Sequence, residues 1–320
     1  MPTRHRRFDT ARLRLLPLAE RAHDLDLTQI LAPLTPVLFV PPALADTAND
    51  LRTARNSGAA RILMMGAHVL RSGVQRHIID LMERGLIDCL SMNGACAIHD
   101  FEFALIGATT ESVARYIQNG QFGLWNETGR LNEIAKTAAA EGLGLGEAVG
   151  RAIWEGGLPH REASVFAAAW RLGIPACVHV GLGLDIVHEH PNCDGAAWGA
   201  ASHGDFLTLA AVMERLEGGV VMNFGSAVTA PEVYLKALAM VRNMARQEGR
   251  EVKRFTTLVC DLHDLPEDFR AEAPRGSAGY YFRPWKTMLV RTVADGGKSH
   301  YVQGPHRETF PALWTALSGA

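Results

Sequence analysis

Four short loops in this chain could hold a phosphate or a ribose, and each follows an apolar run of strand length. The run 61–65 stops at Gly66, and a small polar loop leads past His68 to Ser72 and Gly73. The run 86–90 leads to Asn93, Gly94 and Ala95; the run 220–224 leads to Gly225 and Ser226; the run 255–260 leads to Asp261. Small side chains let backbone amides come close to an anion, and an aspartate after a strand can accept hydrogen bonds from ribose hydroxyls. Tight strand–helix packing would account for the same small residues, and a solvated loop for the same aspartate.

A second chemical candidate is the stretch from His179 to His190, with Asp185, His188 and Glu189 inside it and Asp194, His203 and Asp205 behind. His188 and His190 share a face of any extended segment, which could serve a metal. No third ligand stands at a recognisable spacing, and a polar loop whose histidines satisfy backbone groups is the plainer reading. Asp185 offers a third use, a carboxylate for a cationic ligand. The glycines from Gly142 to Gly150 imitate a dinucleotide fingerprint, but the spacing is wrong and an Ala-rich helical stretch precedes them. They read as a turn between two helices.

The elements that must position these residues alternate. Helical periodicity is expected over 43–56, after Val74, over 111–157 with a break at 142–146, and over 164–172, 207–216, 231–245 and 309–317. Apolar runs at 37–40, 61–65, 86–90, 174–180, 220–224, 255–260 and 288–293 read as strands. That alternation predicts an α/β fold, a Rossmann-like three-layer domain with a mainly parallel sheet. Residues 1–320 read as one domain, with 1–35 as a helical N-terminal extension and 181–204 as a long polar loop.

Composition narrows the function classes. With 48% hydrophobic and 21% charged residues and a formal charge of −2, the chain has no electrostatic footprint for nucleic acid or membrane. Five widely spaced cysteines argue against a disulfide framework, and no apolar run approaches the roughly 20 residues a membrane span requires, so a cytoplasmic protein is expected.

The wording of GAHVLRSG, MERGLID and NGACAIHDFEFALIG resembles the NAD-binding core of deoxyhypusine synthases, particularly the bacterial deoxyhypusine synthase-like branch. The resemblance is strong over 60–108, moderate over 164–245 and weak over 255–320. It implies NAD as cofactor, held by Ser72, Gly73, Asn93, Gly94, Ala95, Gly225, Ser226 and Asp261. It also implies a transferase: an NAD-dependent aminobutyl transfer from a polyamine such as spermidine to a protein lysine or a free diamine. In that scheme Lys286 forms the covalent imine, and Asp185, His190 and Trp285 bind the polyamine. A lysine is a nucleophile only when neutral, and an aromatic cleft favours that form; a surface lysine beside a structural tryptophan is the alternative. The resemblance implies a homo-oligomer as well, most simply a tetramer. This chain departs from the family at Thr229-Ala230-Pro231, where a histidine pair is expected, and at Pro284, where the tryptophan is expected. Two other readings stand beside it: a metal-assisted hydrolase using the region 179–203, and a nucleotide-binding module without transferase activity.

Overall fold

The computed structural model describes residues 4–318. Six strands form one sheet in which every pairing is parallel: β1 (Arg61–Met65), β2 (Cys89–Asn93), β3 (Ala176–His179), β4 (Val220–Phe224), β5 (Thr256–Asp261) and β6 (Lys298–Gln303). Their spatial order is β3-β2-β1-β4-β5-β6. The chain winds outward from β1 to one edge, returns to the centre and winds to the other edge. This is the order of dinucleotide-binding folds, and it leaves a crevice at the carboxyl ends of β1 and β4, where the direction of winding reverses.

Among the described residues, nine helices of eight or more residues accompany the sheet: α1 (Pro42–Ser57), α2 (Gln75–Glu83), α3 (Gly94–Ile106), α4 (Arg130–Glu141), α5 (Leu145–Glu155), α6 (Val165–Leu172), α7 (Gly195–Met213), α8 (Thr229–Gln247) and α9 (His306–Ser318). Alternate residues of each strand enter two separate cores. Leu63, Met65, Met222 and Phe224 pack with α1, α2, α3 and α9 on one face. Ile62, Met64, Val221 and Val259 pack with α7 and α8 on the other. All five residues of β1 and of β4 are buried, as a central parallel strand covered on both faces requires.

Several expectations fail for physical reasons. The run 37–40 is no strand: Leu38 and Phe39 are exposed and prolines close the segment on both sides. The run 288–293 belongs to a helical turn, Trp285–Arg291, whose Met288 and Leu289 cover the second core. The sixth strand lies instead at 298–303, an edge strand polar enough to hide from a search for apolar runs. The second strand begins three residues later than expected because Asp88 bends inward, accepting a hydrogen bond from the Arg61 amide at 2.8 Å and pairing with its guanidinium. The expected loop 181–204 is helical from Gly195 onward, and the described residues before 35 hold short helical turns and a two-residue strand, Leu25–Asp26, paired antiparallel with Ala108–Thr109. The glycines 142–146 do form a turn, between α4 and α5.

Candidate functional site

The crevice is made by two touching loops. A Cβ on Gly66, just after β1, would lie 2.4 Å from the carbonyl oxygen of Gly225, just after β4. Gly225 has φ +62°, and a Cβ there would lie 2.3 Å from Nε2 of His306, the first residue of α9. Glycine at both positions is therefore a condition for this close approach. Ser226 continues the second loop and caps α8 through Oγ, which accepts from the Ala230 amide at 3.1 Å. Asp261 ends β5; its Oδ1 accepts from the amides of Leu262 (2.7 Å) and His263 (3.2 Å). Burial lowers the pKa of His306, opposed by the nearby Asp261 carboxylate, and its Nδ1 is enclosed without a partner.

At the end of β2, Asn93 caps α3 by accepting from the Cys96 amide at 3.3 Å, leaving its amide nitrogen available as a donor. Gly94 and Ala95 open that helix. A Cβ on Gly94 would sit 2.0 Å from Oδ2 of Asp185, so the aspartate occupies the place a larger residue would fill. Ser72 and Gly73 follow the short helical turn Ala67–Arg71 that comes after β1. Ser72 donates to the Val69 carbonyl at 2.6 Å, and Gly73 is pressed against the Ile30 carbonyl, where a Cβ would fall at 1.9 Å. Gly73 also accepts from the Ala32 amide at 2.8 Å and so ties the N-terminal segment to the domain.

Beside the crevice lies a cavity of about 220 Å³, walled by Arg71, Ala95, His99, Glu111, Phe122 and Asp185 among others. Burial pushes Asp185 up to about 6 and raises Glu111 as well, although the latter accepts from the Trp125 indole (2.9 Å) and the Gly123 amide (3.0 Å). Burial holds His99 down at about 4, so it is neutral. At the cavity floor Arg21 makes a two-pronged pair with Glu102 at 2.9 and 2.7 Å; Thr109 and Thr128 complete that carboxylate's hydrogen bonds. Against the push of burial, these partners keep Glu102 below its usual value.

The remaining candidates are dispersed. Lys286 is buried with Nζ 3.7 Å from the centre of the Tyr280 ring, on the turn that packs on the second face of the sheet. Helix α3, whose first residue abuts Asp185, packs on the first face. Neither Lys286 nor Trp285 lines the cavity that Asp185 lines. Trp285 donates to the Phe269 and Ala271 carbonyls at 2.8 and 3.1 Å and so holds its own loop. His190 points to the Gly123 carbonyl at 2.7 Å, and His188 packs edge-on to Trp198 with ring centres 4.8 Å apart. The two histidines lie around a tight turn, Ile186–Glu189, and no extended segment puts them on one face. His179 meets Ser91 Oγ at 2.9 Å. Among the described residues no group of three or more His, Cys, Asp or Glu is placed to hold a metal. Nor is any helix among them long and apolar enough to cross a membrane.

Comparison with known proteins bears on these assignments. Residues 45–160 match the family model of the arginine dihydrolase ArgZ-like C-terminal domain, described as a Rossmann fold. No curated protein matches the chain. Unliganded AgrE is similar in structure, with TM-score 0.52 and 16% identity; AgrE in ternary complex with ornithine and NAD+ gives 0.50 and 16%. ArgZ, an arginine dihydrolase from the ornithine-ammonia cycle in cyanobacteria, gives 0.51 and 14%. Each likeness covers 86% of this chain but 32% of the other, so the chain spans about a third of the length of those proteins.

These matches overturn the resemblance to deoxyhypusine synthases. With it go the aminobutyl transferase reaction, the imine on Lys286, spermidine or another polyamine as donor, and a protein or diamine acceptor. The physical reason lies in the residues that carried it. Gly66, Gly73 and Gly94 are small because a backbone or a carboxylate presses on each, a demand of the parallel fold that unrelated families meet with similar words. What the matches show is the Rossmann fold itself, over the β1–α2–β2–α3 unit and the sheet built around it.

Proposed function

We propose that this chain is an NAD-binding domain serving the chemistry of arginine and ornithine, as the Rossmann part of an ArgZ-like enzyme. The observation that carries the reading is the sheet order, with two glycine loops in contact where it reverses. An AgrE complex holding ornithine and NAD+ supports the choice of ligands.

The residues present fit a dinucleotide with one departure. Gly66, Ala67, Gly225 and Ser226 put only small side chains at the crevice, and the amides of Ala67 and His68 would be the donors for a pyrophosphate. Asp261 and the Asn93 amide would meet ribose hydroxyls. The departure is Asn93 itself: an acidic residue is the usual partner at the end of the second strand. NAD, when bound, supplies a hydride acceptor; the chain's part is to position it and to hold a second ligand beside it. Titration with NAD+ and NADP+ tests this. Saturable binding of either supports it, and no binding of either removes it.

The family description favours a second reading, hydrolysis of the arginine guanidinium by this chain itself, because the matched segment includes the cavity wall from Arg71 to Phe122. The assay is ammonia release from L-arginine. Absence of ammonia with intact NAD binding would confine the chain to the dinucleotide-dependent part of such chemistry.

A further inference from the structure

Asn93 stands where a dinucleotide fold usually keeps an acid, at the end of its second strand. Its side-chain oxygen already accepts from the Cys96 amide and thiol, at 3.3 and 3.1 Å, which engages both lone pairs. The structure brings a carboxylate to that place by another route. β3 runs beside β2 with His179 level with Asn93, and the chain leaving β3 returns to Asp185. Asp185 lies against Gly94, the residue after β2, with Oδ2 only 2.0 Å from where a Cβ would stand. Any side chain at 94 would push it aside. The cavity that Asp185 lines is apolar along Ala95, Ile98, Val113, Phe122 and Leu184, the last of them 82% exposed. Arg71 and Thr110 also line it, and Arg71 Nε and Thr110 Oγ1 are enclosed without partners. An apolar enclosure with a few unsatisfied donors suits a heterocyclic base. The charges around it are unequal. Arg21 and Glu102 neutralise each other, and His99 is neutral. Arg71, 3.2 Å from His68, is then one cation against Asp185, Glu111 and Glu189, the last close enough to Glu111 to feel its charge.

We propose that Asp185 selects the dinucleotide: it accepts from both hydroxyls of the adenosine ribose, in place of the acid missing from β2, and the cavity beside it seats the adenine. The inference rests on the reading of the crevice as a dinucleotide site and deepens it, since it says which end of the ligand lies where and which dinucleotide is taken. A ligand reaching from the Gly66–Gly225 contact toward β3 passes over the end of β2, and Asp185 is the carboxylate at that point. An ionised carboxylate accepts from two neighbouring hydroxyls at once. A 2′-phosphate replaces one of those donors by up to two negative charges. Three carboxylates against one guanidinium repel it, so NAD+ is taken and NADP+ refused. Asn93 keeps a part as well, because its amide nitrogen can donate to the same ribose. Gly94 belongs to the same device, since its missing side chain is what lets Asp185 reach the end of β2.

The test is calorimetry on the whole chain at pH 8, titrated in turn with NAD+, NADP+ and nicotinamide mononucleotide, which lacks the adenosine. NAD+ is expected to bind at least roughly tenfold more tightly than either of the others. Asp185→Asn should weaken NAD+ by roughly tenfold and strengthen NADP+, so that the preference disappears. Gly94→Ala displaces the carboxylate without changing any charged group. It should erase the preference in the same way, and it provides a second variant should Asp185→Asn fail to fold. NADP+ binding as tight as NAD+ in the intact chain, or an unchanged preference in both variants, would overturn the assignment and leave the dinucleotide site standing. So would mononucleotide binding as tight as that of NAD+, which would empty the cavity of adenine. Failure to bind either dinucleotide would instead remove the reading beneath it.

Discussion

At the scale of single residues, Asp185 is the most strongly perturbed carboxylate on the cavity wall. Its carboxylate is pushed up to about 6 by burial, so in the free protein its charge is a cost at neutral pH. A raised acid in the folded state binds protons that the unfolded chain releases, so its contribution to stability falls as pH rises from about 4 to 6. Asp185→Asn should therefore raise the stability of the ligand-free protein at pH 8, by about 1–2 kcal/mol after allowing for partial exposure, and change little at pH 4. Thermal melts at the two pH values check this. The sign reverses for a ribose diol, which needs the ionised form as acceptor, so NAD+ affinity should weaken as pH falls through about 6. Burial raises Glu111 and Glu189 nearby as well, and loss of this pH dependence in Asp185→Asn would assign it to Asp185. Elsewhere, Arg21→Ala would strand the Glu102 charge in the interior and should cost about 3–5 kcal/mol, read as a lowered denaturant midpoint.

At the scale of elements, the two touching loops decide whether the crevice exists. Gly225→Ala places a side chain on a left-handed backbone and drives it against His306, so a loss of about 1–3 kcal/mol is expected together with weaker NAD+ binding. Thermal melts and NAD+ titration of that variant measure both effects. Much of this scale was legible beforehand. The bounds of β1 and β4 follow directly from their buried apolar runs, and the loops at Asn93–Ala95 and Gly225-Ser226 were expected at the carboxyl edge, where they lie. Edge strand β6 was not legible, because an edge strand needs no apolar run, and 288–293 misled because a helical turn can cover a core with the same residues. The site was less legible than the fold. Asp185 stands out by residue type, but Arg71 and Glu111 come to its cavity, and His306 to Gly225, from separate elements, and no local spacing announces them. Lys286 stands out only through the resemblance to a family whose lysine follows a tryptophan, and its aromatic neighbours Trp285 and Tyr280 belong to the second core.

For the molecule as a whole, the claim is that an all-parallel sheet in the order β3-β2-β1-β4-β5-β6 carries a dinucleotide at its point of reversal, with the adenosine end in the cavity beside it. The Rossmann-like fold is legible in the sequence, but the family the loops suggest is wrong, because tight loops impose similar residues on many parallel folds. The most direct test of the account is calorimetric titration of the intact chain with NAD+, alongside Gly225→Val. The account predicts saturable binding with one NAD+ per chain and its loss in the variant. Absence of any binding to the intact chain at millimolar NAD+, or equal binding by the Gly225→Val variant, would contradict it.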